Sequence, residues 1–298
     1  MLVSSPSSSA SISWRLYAGW ATLCCIAFGR SIGALARYAT QNETASHIVL
    51  IPFIFAWLLY SDRKKIVFRA EDRFLVHRLV SSAGALAACL VGISVTKTRI
   101  TLPTATLILV FFLVAGFLTV FGLRAAKAVS FSLAFLLFLV PIPDFLLNHI
   151  IYWLQRGSAS IVEVLFDWTG VPVLREGFIF HLPKLSIEVA HECSGIRSSM
   201  ALLILALLVA HFSFSKFWKR ALFVFAGLLM MFIKNGIRIV TLTLLANYVD
   251  PDFLYSGLHR KGGVVFFLIG LVLLWPVYWW LRRGERPPAV SSLKTVGP

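Results

Sequence analysis

Residues 102–123 read LPTATLILVFFLVAGFLTVFGL, an apolar run without a charged residue. A helix needs about 20 such residues to cross the ~30 Å hydrocarbon core of a bilayer. Further apolar runs lie at 129–140, 199–212, 221–233 and 263–281, and several of the runs reach this length alone or with mildly polar flanks. Their number and length predict an all-α polytopic membrane protein.

The composition of the whole chain agrees with this fold class. Of its 298 residues, 58% are hydrophobic and 14% are charged, with a mean hydropathy of +0.83, whereas soluble domains carry about 25% charged residues. A net charge of +15 would suggest nucleic-acid binding in a soluble protein. Here the basic residues cluster in short loops between apolar runs, and no basic face carries exposed aromatics, so we expect no nucleic-acid partner.

The apolar runs correspond to about eight predicted transmembrane helices. They lie at 15–37, 47–61, 79–96, 102–123, 128–148, 197–213, 221–245 and 263–281. Arg30 interrupts the first of them, and it either snorkels, faces the bundle interior or marks an earlier exit from the membrane. We assign 14–283 to one integral membrane domain, with disordered tails at 1–13 and 284–298.

Basic loops set the predicted orientation. The segments 61–78, 124–127 and 213–220 and the tail after residue 281 are rich in lysine and arginine. With eight spans, all of them fall on one side of the membrane together with both termini. The positive-inside rule makes that side cytoplasmic, which predicts a multi-pass protein of the cytoplasmic (inner) membrane.

Residues 149–196 form the only sizeable segment on the predicted outer side. The stretch 148–168 has apolar residues at broadly helical spacing, which indicates an amphipathic helix on the outer membrane surface. The alternating run 178–189, with a turn after Pro183, suggests a β-hairpin. Its second arm leads to Cys193, and this predicts an extracytoplasmic active site.

Cys193 is the candidate nucleophile. It lies in the stretch LSIEVAHECSGIRSS at residues 185–199, just before an apolar helix that we expect to begin at about Ser194. Attack on a carbonyl carbon requires a thiolate, which a helix N-terminus and a nearby cation favour. Arg197, one turn into the helix, is such a cation.

The other three cysteines carry no comparable signal. They lie in apolar stretches and are predicted to be small buried hydrophobes: Cys24, Cys25 and Cys89. No CxxC pair is present, so we expect no structural zinc site. Nothing in the sequence indicates any other metal or cofactor.

The seventh predicted span carries three polar residues in its outer half: Lys234, Asn235 and Arg238. Such side chains usually face the bundle or a wet cavity, because exposing a charge to lipid costs about 2.5–3.5 kcal/mol at the membrane centre. The i, i+4 spacing places Lys234 and Arg238 on one helical face, with Asn235 adjoining. Snorkelling to the interface is the alternative, and it suits Lys234 better than the Asn235–Arg238 pair.

Histidines supply the third kind of group. His259 precedes the last span on the same predicted side as Cys193 and Arg238, and a side chain that titrates near neutral pH suits proton transfer to a leaving amine. His191 competes for this role, because an extended segment would place it on the same face as Cys193. His47 opens the second span and is a further candidate to line the site.

Three blocks of the chain together resemble the exosortase/archaeosortase family. They are IEVAHECSGIRS at 187–198, NGIRI at 235–239 and His259 before the last span; histidine at that third position resembles the bacterial exosortase branch. The early block SHIVLIP at 46–52 is similar to the N-terminal region of the family. The resemblance covers approximately residues 40–280, and the CSGIR block is its most specific part.

The resemblance implies a membrane-embedded cysteine protease and transpeptidase. Residue by residue, Cys193 matches the nucleophile, Arg238 the essential arginine and His259 the third catalytic residue, while Asn235 matches a motif position. The implied substrates are exported, membrane-anchored proteins with PEP-CTERM-like tails, in which a short motif precedes a hydrophobic span and a basic cluster. The acyl group would pass to an acceptor such as a lipid or glycan amine.

Two other interpretations remain open. An acyltransferase, or an intramembrane protease of another kind, gives no reason for the CSGIR and NxxR blocks to occur together. A non-enzymatic membrane component of exopolysaccharide export favours an inverted repeat and charges near the midplane. No repeat is visible, and most of the polar groups lie towards one rim, so we prefer the sorting enzyme.

Overall fold

The protein is described by a computed structural model. It describes residues 6–66, 84, 87, 90–91, 94, 100–190, 195–250 and 263–283. The predicted third span at 79–96 lies almost entirely outside these residues, so the total of eight spans stays a prediction. The chain forms two compact units, Met1–Pro143 and Asp144–Pro298, which are taken in turn.

The described residues contain five helices that are long and apolar enough to cross a membrane. These are Glu43–Lys65, Leu102–Ala128, Ile196–Ser213, Phe217–Tyr248 and Gly263–Arg282. The number rises to seven if each of two broken helix pairs counts as one span, namely Ile12–Ala27 with Gly29–Gln41 and Ser130–Leu139 with Asp144–Thr169. The predicted class, a mainly helical polytopic membrane protein, is confirmed.

The first unit is built from helices. Its α-helices are α1 (Pro6–Ala27), α2 (Gly29–Gln41), α3 (Ile51–Asp62), α4 (Leu102–Ala128) and α5 (Ser130–Phe135), joined in places by 3₁₀ turns at Glu43–Leu50, Arg63–Lys65 and Leu136–Leu139. Trp20 connects α1 to α4, since its indole nitrogen donates to the carbonyl oxygen of Phe112 at 2.9 Å. Gly116 leaves the space for this ring, because a Cβ there would collide with it.

The first predicted span is not one continuous helix. Helix α1 ends at Ala27, α2 begins at Gly29, and the two are bent by 76° at this break. The exposed Arg30 lies directly after the break. A charge is costly in lipid, and Arg30 therefore explains why the helix breaks here instead of continuing through the predicted span 15–37.

The second unit combines helices with a small sheet. Its elements are α6 (Asp144–Thr169), β1 (Leu174–Glu176), β2 (Ile179–His181), β3 (Ser186–Glu188), α7 (Ile196–Ser213), α8 (Phe217–Tyr248) and α9 (Gly263–Arg282). Helices α6, α7 and α9 all pack against α8. The core between them contains buried apolar residues of all four helices, including Leu154, Leu202, Met231 and Leu274.

The predicted fifth span over 128–148 is also interrupted. The helical segment ends at Leu139, and α6 begins at Asp144. Pro141 and Pro143 lie between them and account for the break, because proline has no N–H to donate and its ring clashes with a preceding helical turn.

Helix α6 covers the stretch for which the sequence predicts an amphipathic helix. It buries one stripe along its length, formed by Ile151, Leu154, Ser158, Ala159, Val162 and Phe166. This stripe faces α7, α8 and the sheet within the second unit. A position on the outer membrane surface stays a prediction.

The three strands form an antiparallel sheet in the order β1-β2-β3. Strands β2 and β3 pair Ile179 with Glu188 and His181 with Ser186, within the run that the sequence assigns to a hairpin. Phe180 and Ile187 point inwards from neighbouring strands and join a core with α6 and α8.

Two glycines allow α6 and α8 to approach closely. A Cβ at Gly236 of α8 would lie 2.5 Å from Ile161 Cγ2, and one at Gly157 of α6 would run into the ring of Phe232. Helix association in membranes depends on such close packing between small residues, because lipid tails remove the hydrophobic driving force between helices.

Replacing Gly236 by alanine is therefore expected to lower the free energy of unfolding by about 1–3 kcal/mol, the usual cost of overpacking. Gly33→Ala is the matched control, since a Cβ at this helical glycine meets nothing within 4 Å. The thermal stability of detergent-purified protein would report both changes. Equal melting temperatures for Gly236→Ala and the parent protein would contradict the close approach.

Candidate active site

Four of the seven predicted site residues belong to the described part of the chain: His47, Arg197, Asn235 and Arg238. The other three, Cys193, His191 and His259, lie outside the described residues. The chain on both sides of the Cys193 segment is nevertheless described, up to Ala190 and from Gly195 onwards. These two segments flank the candidate nucleophile.

On the strand side, the chain is anchored to the sheet and to α6. The amide of Val189 donates to the carbonyl of Phe178 at 2.9 Å and so extends the pairing of β2 with β3. The carbonyl of Val189 accepts a hydrogen bond from Gln155 Nε2 at 2.8 Å. Val189 itself is fully buried, so both its main chain and its side chain are held.

On the helix side, α7 begins with a left-handed glycine. Gly195 is its N-terminal flanking residue, with φ of +66°, a conformation that costs other residues about 1–2 kcal/mol. Its carbonyl oxygen accepts the amide of Ser199 at 2.9 Å and the hydroxyl of Ser198 at 3.0 Å. These bonds tie the turn to the first turn of the helix.

Two buried polar residues of α8 lie against this turn. Lys234 and Asn235 are each 1% exposed. A Cβ on Gly195 would come within 2.6 Å of Asn235 Oδ1 and 3.6 Å of Lys234 Nζ. Only a residue without a side chain fits between the turn and α8.

Each of these two side chains also connects α8 to a second helix. Lys234 Nζ donates to Ser198 Oγ of α7 at 2.6 Å. Asn235 Nδ2 donates to Ser158 Oγ of α6 at 2.9 Å. The polar cluster on α8 thus holds together three helices beside the start of α7.

Lys234 is the clearest departure from the sequence-based alternatives. Snorkelling is wrong for it, because its side chain is buried between α7, α8 and α9. Gly270 of α9 makes room for its aliphatic part, with a hypothetical Cβ at 3.3 Å from Lys234 Cδ. The i, i+4 spacing with Arg238 marks Lys234 in the sequence. Nothing in the sequence marks Ser198 as the partner of Lys234 or Ser158 as the partner of Asn235.

The two arginines differ in exposure. Arg238 lies one turn beyond Lys234 on α8 and is half-buried, whereas Arg197 on α7 is exposed. The structure therefore places Lys234 and Asn235 next to the Gly195 turn, with Arg238 one turn further along the same helix. Arg197 projects from the first turn of α7.

The remaining predicted residues lie elsewhere or are only partly described. His47 belongs to the first unit, where it is half-buried in the 3₁₀ helix Glu43–Leu50. Cys24 is buried as expected, but Cys25 is exposed, so the prediction for Cys25 is wrong; its position on α1 turns it away from the core. Cys89 lies outside the described residues.

Two further features bear on what the candidate site could bind, namely metal ligands and open space. Within the described ranges, no group of three or more His, Cys, Asp or Glu side chains is arranged to hold a metal ion. A cavity of about 370 Å³ is lined by α7, α8 and α9, mostly with apolar side chains, among them Leu205, Val209, Phe223 and Trp275. The polar cluster of Lys234 and Asn235 does not contribute to its wall.

Comparison with known proteins identifies the family. The model of the transmembrane exosortase family matches residues 39–276, well over half of the chain. The chain belongs to the transmembrane exosortase family. Comparison with curated proteins and with solved structures returns no match. The matched range of this exosortase includes every one of the seven predicted site residues.

The Gly195 turn gives a test that needs no substrate. Gly195→Ala is expected to cost about 1–2 kcal/mol for the left-handed backbone and about 1–3 kcal/mol more for overpacking against Asn235. Gly177→Ala isolates the first contribution, because Gly177 has φ of +64° and open space around it. Thermal unfolding of both variants would show a larger loss at Gly195; equal losses would contradict the contact with Asn235.

Proposed function

We propose that this exosortase is a cysteine protease and transpeptidase that cleaves C-terminal sorting signals of exported proteins and transfers the acyl group to an acceptor. The observation that carries the proposal is the contact between the Gly195 turn and the buried Lys234–Asn235 pair. It brings the middle of the CSGIR block and the start of the NGIR block together at one point. These are two of the three blocks on which the family resemblance depends.

Covalent geometry links this contact to the candidate nucleophile. Cys193 precedes Gly195 by two residues, and two residues of chain span at most about 7 Å. The Cα atom of Cys193 is therefore within about 7 Å of that of Gly195, the residue that lies against Lys234 and Asn235 of α8. The first amides of α7 add to the effect of the lysine charge, because the N-terminal N–H groups of a helix have no partner within it and favour negative charge.

The chemistry follows from these positions. The thiolate of Cys193 attacks the scissile carbonyl carbon, and a tetrahedral oxyanion forms. Arg238 is the candidate to stabilise this oxyanion, because a guanidinium fixed in a poorly hydrated site does so without reorganisation. Collapse of the intermediate leaves a thioester on Cys193 and releases the tail with a new amino terminus.

A proton must reach the leaving amine and then leave the acceptor. His259 is the candidate for both transfers, since imidazole can donate and accept near neutral pH. His191 is the competing candidate, because it is two residues from Cys193. The acceptor amine, from a lipid or a glycan, attacks the thioester and regenerates the thiol.

The orientation inferred from the basic loops gives this chemistry its place. The active site would lie at the outer face of the cytoplasmic membrane, where exported proteins with PEP-CTERM-like tails emerge. Their hydrophobic span would remain in the bilayer, and their basic cluster would stay on the cytoplasmic side. The apolar walls of α7, α8 and α9 suit contact with such a span.

Replacing Cys193 by alanine is expected to abolish processing, because no thioester can form. The measurement is cleavage of a tagged host protein that carries such a tail, coexpressed with each variant and followed by immunoblot. Cys25→Ala, which removes an exposed cysteine, is the matched control and should process normally. Cleavage by the Cys193→Ala protein at equal membrane levels would refute the proposal.

Arg238→Gln is expected to slow processing by about a hundredfold or more, the typical loss when one oxyanion donor is removed. Arg282→Gln is the control, since Arg282 is an exposed arginine that donates to Tyr278 Oη at 3.0 Å. Initial rates of tail release in the same coexpression assay would compare them. A similar rate for both variants would remove Arg238 from the mechanism.

A further inference from the structure

Lys234 is a buried cation with a single described hydrogen-bond acceptor. It is 1% exposed and donates to Ser198 Oγ at 2.6 Å. Among the described residues, no carboxylate lies within ion-pairing distance of it, and Arg238, a second cation, lies one turn along the same helix. Burying an ammonium group is costly unless it is paired and hydrogen-bonded, so a lysine at this position needs a reason beyond packing.

The space around Lys234 is shaped to admit the whole side chain. Gly270 of α9 lies beside its aliphatic part, and Gly195 of the turn lies beside its ammonium group. A Cβ at Gly195 would approach Lys234 Nζ to 3.6 Å. Both the turn and α9 thus contact Lys234 through a glycine.

A chain of hydrogen bonds runs from Lys234 to the turn. The ammonium group donates to Ser198 Oγ, and the Ser198 hydroxyl donates to the carbonyl oxygen of Gly195 at 3.0 Å. The hydroxyl of Ser198 thus accepts one hydrogen bond and donates another, and these two bonds fix its orientation. The carbonyl of Gly195 is in turn held relative to α8.

We propose that Lys234 is a positioning residue of this exosortase, which fixes the Gly195 turn through Ser198 and holds a positive charge beside the segment that carries Cys193. The proposal rests on the proposed function only in taking Cys193 as the nucleophile. The role of Lys234 differs from that of Arg238, because Lys234 acts on the nucleophile and on the Gly195 turn before substrate is bound. Neither Lys234 nor Ser198 need touch the reacting atoms.

The expected size of the effect follows from distance. The ammonium group lies close to Gly195, and Cys193 is two residues, at most about 7 Å of chain, from Gly195. At an effective dielectric constant of about 20, a unit charge about 10 Å from an ionisable group changes its ionisation equilibrium about tenfold. Because only the thiolate reacts with alkylating agents, Cys193 should react about tenfold more slowly without Lys234.

The test measures alkylation of Cys193 in a single-thiol protein that carries Cys24→Ala, Cys25→Ala and Cys89→Ala. The full-length protein in native membranes is treated with iodoacetamide, a small neutral reagent, over a range of pH. Lys234→Met is expected to react about tenfold more slowly near neutral pH and to reach its maximal rate at higher pH. Arg197 and Arg238, the other described cations near the turn, stay unchanged in every variant, as do His191, Glu192 and His259.

Lys219→Met is the matched control. Lys219 is another buried lysine of α8, and its Nζ donates to the carbonyl oxygen of Leu281 at 2.7 Å, far along the helix from the turn. Its replacement should leave the pH profile of Cys193 unchanged. A loss of reactivity in both lysine variants would mean a general loss of packing and would overturn the proposal.

Serine variants keep the test decisive if Lys234→Met fails to accumulate. Ser198→Ala removes the acceptor of Lys234 and should slow alkylation, while Ser198→Thr keeps the hydroxyl and should restore the parental profile. A parental pH profile in folded Lys234→Met overturns the proposal. If Lys234→Met does not accumulate, a parental pH profile in Ser198→Ala overturns it instead. Since alkylation needs no substrate, failure of tail processing alone would count against the proposed function and leave this result standing.

Discussion

The start of α7 depends on two polar side chains of α8 that find their partners on other helices. Lys234 donates to Ser198 of α7, and Asn235 donates to Ser158 of α6. In a low-dielectric interior such hydrogen bonds are costly to leave unmade, so once formed they specify one arrangement of the helices. The Gly195 turn can take its position only because this arrangement exists.

Small residues let the polar contacts form. Gly157 and Gly236 bring α6 and α8 close enough for Asn235 to reach Ser158, and Gly270 gives the aliphatic part of Lys234 its space. In water, burial of apolar surface would drive such helices together, whereas in a bilayer close packing and hydrogen bonds have to do so. Bulk at any of these positions would therefore separate the helices where the polar groups meet.

Sequence patterns anticipated much of this exosortase, and the failures have local causes. Hydropathy is a property of neighbouring residues, so runs such as 102–123 marked helices. The break at 140–143 lay within a run that remained apolar, and the break at Phe28 was signalled only by Arg30. The blocks around Gly195 and Asn235 were evident, but their contact was not. Whether Lys234 snorkels or is buried depends on how α8 is rotated in the bundle, and the partner of Asn235 lies 77 residues away.

The pairing of Lys234 with Ser198 has a consequence for biogenesis. As an isolated segment, α8 would have to bring both Lys234 and Arg238 into lipid, at a cost of up to about 2.5–3.5 kcal/mol for each charge. Helix α7 leaves the ribosome first and is joined to α8 by residues 214–216 alone. Entry of the two helices as a hairpin satisfies the lysine during insertion, so the residues that order the candidate active site also ease its delivery into the membrane.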